Sequence, residues 1–223
     1  MYVLITLVLM ALFSTKIASS SVIVSNSNAD INTEVRHLSQ KAPELNTKVL
    51  KLALRAYEKA QHNGLAKKNI LTIIDYSLPS SKQRLWVFDV RKEKLLYHIY
   101  VAHGKNSGRI IPTHFSNQLS SKETSLGAYI TKDTYMGSNG YSLNLQGLEK
   151  GFNDHAYQRR VVVHGANYVE PTYIKNFGHA GRSWGCPAIA ASIAKPLINT
   201  IKDGSVVFAY YPDKQYLAKS RYL

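Results

Sequence analysis

The chain has 223 residues, with 28 Lys and Arg against 14 Asp and Glu, a formal charge of +14, and a single cysteine. Hydrophobic residues make up 45% and charged residues 19%, a globular mixture that excludes a disordered or collagen-like chain. One thiol excludes an intramolecular disulfide framework, and with it zinc sites built from four cysteines or from two cysteines and two histidines.

Residues 2–13 (YVLITLVLMALF) are an apolar run followed by the small residues of 14–20. This reads as a secretory signal peptide over residues 1–20, with Ala18 and Ser20 at the −3 and −1 positions of the cleavage site. The run is shorter than the roughly 20 residues of a membrane-spanning helix. An uncleaved anchor would leave the same domain outside the membrane. The expected location is therefore the periplasm or cell envelope, with no stable membrane insertion after signal cleavage. A basic exported chain meets acidic wall polymers or anionic surfaces rather than nucleic acid. The cations are scattered, however (Lys41, Lys48, Lys51, Arg55 and onward), as on any solvated basic surface.

Residues 21–42 are polar and Ser/Asn-rich, which predicts a flexible leader. Over 43–64 the spacing of Leu45, Val49, Leu52, Ala56 and Ala60 predicts an amphipathic helix, stopped by Asn63-Gly64 and packed on a domain spanning 65–223. Strand signals follow at 70–76, and at 84–90 and 95–102 around the charged turn 91–94 of a hairpin. After a long loop over 103–124, strands are predicted at 128–132, at 161–163 running into His164-Gly165, and at 205–211. Residues 188–201 (AIAASIAKPLINTI) read as a helix, kinked by Pro196. The fold class is mainly β, with an N-terminal helix and a helix after the cysteine.

The thiol lies in Gly181-Arg182-Ser183-Trp184-Gly185-Cys186-Pro187-Ala188, directly before that expected helix. A cysteine at a helix N-terminus has its pKa lowered from about 8.5, and the same N–H groups can hold an oxyanion. Its ordinary alternative is a buried cysteine acting as a small hydrophobe. A thiol nucleophile needs a base, and His164, delivered by a core strand into a Gly turn, is the leading candidate, with His179 its rival. Asp154, His155, His164 and His179 lack a metal-binding spacing, so no metal or other cofactor is expected.

The order HG…SxGC, with RSWGCPA over 182–188, resembles the catalytic signature of the murein L,D-transpeptidase (YkuD-like) family. Supporting stretches run upstream through IIDYSLPSSKQRLWVFD (73–89), VAHGKNSG (101–108), SLGAY (125–129), GYSLNLQGLEKGFND (140–154) and VVVHGANYV (161–169). The resemblance implies a β-sandwich-like catalytic fold acting on peptidoglycan stem peptides. It implies a Cys186 thioester with the L-centre of the third stem residue, loss of D-Ala, and transfer to an amine or to water. His164 would be the base, oriented by the carbonyl of Gly165. Gly185 and Cys186 would supply oxyanion donors, and Ser183 would take part in catalysis or hold the loop. Arg182, Arg109, His179, Tyr141 and Asn144 are the expected substrate contacts. Two departures stand out: Trp184 replaces the His of SHGC, and Pro187-Ala188 replaces the Arg-bearing GCxR. The other readings of the same residues are a catalytically silent wall-binding module and a sortase-like transpeptidase. The latter needs an Arg on a strand after the cysteine, and only Arg221 follows Cys186.

Overall fold

The computed structural model describes residues 31–223, so the signal-peptide reading and residues 21–30 lie outside it. Strands β1 (Ile70–Asp75), β2 (Leu85–Asp89) and β3 (Lys94–Ile99) form a meander. They are followed by β4 (Gly127–Gly137), β5 (Gly140–Gly147), β6 (Val162–Ala166), β7 (Ala188–Ala190) and β8 (Val206–Tyr210). All eight belong to one sheet in the order β3-β2-β1-β8-β4-β5-β6-β7. Only the β1–β8 and β6–β7 pairs are parallel. Among the described residues, no helix is long and apolar enough to cross a membrane.

The central strands read as continuous apolar runs because both faces of the sheet are covered. Leu71, Ile73, Trp86, Phe88, Val206 and Phe208 point to one side, where helix α1 (residues 31–41) and α2 (Thr47–His62) pack. Ile74, Leu85, Val87, Leu143, Val207 and Ala209 point to the other, beneath α4 (Ala191–Ile201). A shorter α3 (Pro171–Phe177) precedes the cysteine loop, and α5 (Lys214–Lys219) follows β8. The Asn46 side chain caps α2 by accepting from the Lys48 N–H at 2.8 Å. The edges of the sheet are stitched together beyond β3: Ala102 N–H donates to Ala188 O at 2.8 Å and Ser183 N–H to His103 O at 2.9 Å.

Three expectations are corrected. Residues 31–41 are helical and bury Ile31 and Leu38, so the leader reading fails there; the i, i+4, i+7 spacing of Ile31, Val35 and Leu38 carries the helix despite polar flanks. Ala188-Ile189-Ala190 is a strand rather than the first helical turn, because these residues pair with His164, Gly165 and Ala166 of β6. β4 continues to Gly137, well beyond the expected 132, with its outer half largely exposed, and returns through the Ser138-Asn139 turn into β5.

Leu38 is fully buried, so Leu38→Ala should lower stability by about 2–5 kcal/mol in denaturant unfolding. An unchanged midpoint would show that α1 does not pack on the sheet in solution.

Candidate active site

Parallel pairing of β6 with β7 sets the site. His164 lies opposite Ala188, two residues after Cys186 in the chain, and opposite Ser142 of β5 on its other side. Val163 faces the core beneath α4, so alternation turns His164 to the opposite face of β6. Gly165 allows α4 its close approach: a Cβ there would lie 2.9 Å from the Ala194 Cβ and 3.1 Å from the Ala191 Cα.

His164 is 4% exposed, and its Nδ1 lies 2.9 Å from the Gly165 carbonyl oxygen. That carbonyl only accepts, so Nδ1 carries the proton and Nε2 is left with a lone pair. Burial lowers the pKa of His164 from its usual value, and the Gly165 hydrogen bond partly opposes this. At neutral pH the side chain is a neutral base.

Gly185 sits at φ +124°, and a Cβ there would meet the Glu123 carbonyl oxygen at 2.7 Å. Ser183 braces the turn: its hydroxyl donates to the Cys186 carbonyl at 2.6 Å and accepts from the Gly185 N–H at 3.1 Å. Of the two N–H groups expected to face an oxyanion, Gly185's is therefore already used within the loop. The Cys186 N–H has no acceptor among the described residues. The Cys186 thiol donates to the Arg160 carbonyl at 3.6 Å, and Arg160 holds the left-handed conformation at φ 54°.

The expected helix N-terminus at Cys186 is absent, because β7 intervenes before α4. Burial instead raises the thiol pKa, opposed by a backbone hydrogen bond from Val162 and by the nearby charge of Arg159. A base is therefore more necessary than the sequence suggested.

Cys186 and His164 line one pocket of about 510 Å³, together with Ser183, Arg182 and Trp184. Its remaining walls come from residues the sequence reading missed. Ser138 and Asn139 form the tip of the β4–β5 hairpin, Tyr168 follows β6, and Arg159 and Arg160 precede it. The Arg159 guanidinium donates to the Ser116 carbonyl at 2.6 Å, the Glu123 carbonyl at 2.6 Å and Ser121 Oγ at 3.0 Å, and also to Ser125 Oγ. It ties the long loop to the wall of the pocket and sets a half-buried positive charge near the thiol. The Gly137-Ser138-Asn139-Gly140 turn and the basic pair before the VVVHG strand were the available signals.

Four expected contacts do not line this pocket. The Tyr141 hydroxyl donates to Asn199 of α4 at 2.8 Å, because its position on β5 faces that helix. Asn144 is held toward Asp133 of β4 at 3.4 Å. Arg109 is exposed on the long loop, and the His179 Nδ1 is 2.7 Å from the Ala180 carbonyl oxygen. Arg182 reaches the rim but donates to the Lys105 and Gly108 carbonyls at 3.1 and 3.4 Å. Trp184 is 73% exposed at the mouth, with Lys122 Nζ 5.0 Å and Lys105 Nζ 6.0 Å from its ring.

Residues 41–210 match the L,D-transpeptidase catalytic domain family, a span that takes in α2 and every strand. An L,D-transpeptidase from Mycobacterium smegmatis is 14% identical with a TM-score of 0.38, the match covering 64% of this chain and 59% of that one. For an L,D-transpeptidase from Stackebrandtia nassauensis the values are 16% and 0.36, over 81% and 77%. For the helical cell shape determining protein of Campylobacter jejuni they are 10% and 0.41, over 72% and 56%. The match thus spans less than two thirds of the length of the Mycobacterium smegmatis chain. No curated protein matches the sequence. By the match over residues 41–210, and in keeping with the resemblance seen in its HG…SWGCPA signature, the chain belongs to the L,D-transpeptidase catalytic domain family.

Proposed function

We propose that this chain is an exported cysteine acyltransferase acting on peptidoglycan stem peptides, with Cys186 as nucleophile and His164 as general base. The observation that carries this reading is one pocket holding an unpaired thiol and a neutral imidazole whose free nitrogen is Nε2. The pocket's charge supports the substrate class. Arg159, Arg160 and Arg182 line it and, among the described residues, no carboxylate does, which suits a donor peptide bearing several carboxylates. Of the two arginines expected to contact substrate, Arg182 lines the pocket and Arg109 does not, and Arg159 joins Arg182 there as a cation in place of the GCxR arginine.

In this mechanism His164 Nε2 accepts the thiol proton as Sγ attacks the carbonyl carbon at the L-centre of the third stem residue. The Cys186 N–H donates to the oxyanion of the tetrahedral intermediate. Collapse breaks the C–N bond, and the imidazolium returns its proton to the departing D-Ala amine, leaving a thioester on Cys186. A second amine, or water, attacks the thioester with His164 again taking a proton, and the thiol is restored by that same proton. Ser183 and Gly185 hold the loop, and Gly165 both orients the base and admits α4.

Cys186→Ala should abolish release of D-Ala from tetrapeptide muropeptides, and His164→Ala should lower it about 10²–10⁴-fold, with both variants folded. Mass spectrometry of the products decides this, and turnover by Cys186→Ala at the wild-type rate sinks the assignment. Free D-amino acids and tetrapeptide dimers in the same assay separate exchange, cross-linking and trimming.

The pH dependence has a definite sign. His164 acts only when unprotonated, and its pKa is lowered, so the acid limb of kcat/KM should fall below the ordinary histidine value of about 6.5. An acid limb above that value would show that the imidazole is not held in this environment.

A further inference from the structure

We propose that Arg84 and His103, buried outside the pocket, are positioning residues for the Cys186 loop. The proposal rests on the acyltransferase reading and adds the device that keeps the nucleophile in place. Arg84 is fully buried and, among the described residues, has no carboxylate within ion-pair distance. Asp75 acts on it only from a distance, its Oδ1 being taken by the Ser77 N–H at 3.0 Å and Oγ at 2.6 Å. A buried, unpaired guanidinium is expensive in solvation, and an apolar side chain of similar volume would serve stability better. Its retention points to what only a planar fork can hold.

That fork makes four hydrogen bonds. Nε and Nη2 donate to the Val101 carbonyl at 3.1 and 2.9 Å, and Nη1 donates to the Leu78 carbonyl at 2.7 Å. The Tyr76 ring lies 5.0 Å from the guanidinium carbon. Nη2 also lies 2.8 Å from His103 Nδ1. A guanidinium can only donate, so His103 Nδ1 accepts, and the proton sits on Nε2, facing the Gly108 carbonyl at 3.2 Å. Burial and the Arg84 charge push the His103 pKa down to about 3, which keeps this one tautomer throughout the working range.

From His103 the chain of bonds leads directly to the nucleophile. Its carbonyl accepts from the Ser183 N–H at 2.9 Å, and the Lys105 N–H donates to the Ser183 carbonyl at 2.8 Å. Ser183 Oγ then grips the Cys186 carbonyl and the Gly185 N–H. Thr124 closes the circuit, accepting from the Gly104 N–H at 2.9 Å and reaching the Gly185 carbonyl at 3.4 Å. Gly104 is obligatory here, because a Cβ would lie 2.5 Å from the Lys122 carbonyl oxygen. Of the groups that face the thiol itself, Arg159, His164 and Tyr168 lie outside the Arg84–His103 hydrogen bond, while Tyr76 packs on the Arg84 guanidinium.

The test compares His103→Leu, which loses both ring hydrogen bonds, with His103→Asn, whose Oδ1 stands where Nδ1 does and can accept from Arg84. Arg84→Lys, which cannot reach three acceptors at once, is the companion variant. For each folded variant, kcat and KM on a tetrapeptide muropeptide are measured, together with the pH profile of Cys186 alkylation by iodoacetamide. His103→Leu should lower kcat about 10–100-fold with KM nearly unchanged, and Arg84→Lys should behave likewise. As the loop loosens and water reaches the thiol, the alkylation midpoint should move to lower pH; His103→Asn should recover most of both properties. Wild-type kcat and an unmoved alkylation midpoint in His103→Leu would overturn the proposal, as would equal losses in the Leu and Asn variants. If Arg84→Lys does not fold, the His103 pair decides. If the wild type turns over no muropeptide, the functional reading fails, while the alkylation profile still judges the positioning role.

Discussion

His164 and Cys186 stand at the ends of neighbouring parallel segments, and the register that sets Gly165 opposite Ile189 holds them together. Every other feature of the site serves that pairing. Gly165 lets α4 press on β6 from behind, so the strand carrying the base has a rigid floor. Gly185, in a conformation closed to other residues, brings the cysteine loop under the Glu123 carbonyl. The segment beyond β3 lies along residues 183–188 and fixes the loop from its second side. A two-strand contact of a few residues would be weak alone; here it is clamped by a helix, a loop and a fully buried arginine.

The electrostatics describe a resting site rather than a preformed ion pair. Burial raises the thiol pKa and lowers that of the imidazole, so both rest neutral, and in the proposed mechanism the proton moves as attack proceeds. Arg159 moderates this from the pocket wall, where its charge favours the thiolate. Its fork also binds three stretches of the long loop, so one residue ties loop position to nucleophile chemistry. Such a design protects a thiol that would otherwise react indiscriminately.

Much of this was legible in the sequence, and the parts that were not have physical reasons. The strands carrying Ile73, Val87, Val163 and Val207 announce themselves because burial on both faces gives dense apolar runs. The nucleophile loop was equally clear, since Gly181, Gly185 and a lone cysteine have few ordinary explanations together. Ala188-Ile189-Ala190 was misread because a three-residue apolar run has no period of its own, and only pairing with β6 makes it a strand. That error produced the second one, a thiol pKa lowered by a helix dipole. Arg159 was missed for a different reason: the basic pair before the VVVHG strand marks the position, but its partners, the Ser116 and Glu123 carbonyls and the Ser121 and Ser125 hydroxyls, are brought to it only by the folded loop.

The central claim is covalent catalysis at Cys186, and trapping the intermediate tests it most directly. Wild-type protein mixed with a stem tetrapeptide and quenched in acid should show, by intact-protein mass spectrometry, an adduct equal to the peptide less its terminal D-Ala. Peptide mapping should place that adduct on Cys186, and Cys186→Ala should show none. D-Ala release by the Cys186→Ala protein, or an adduct mapping elsewhere in the wild type, would contradict the account.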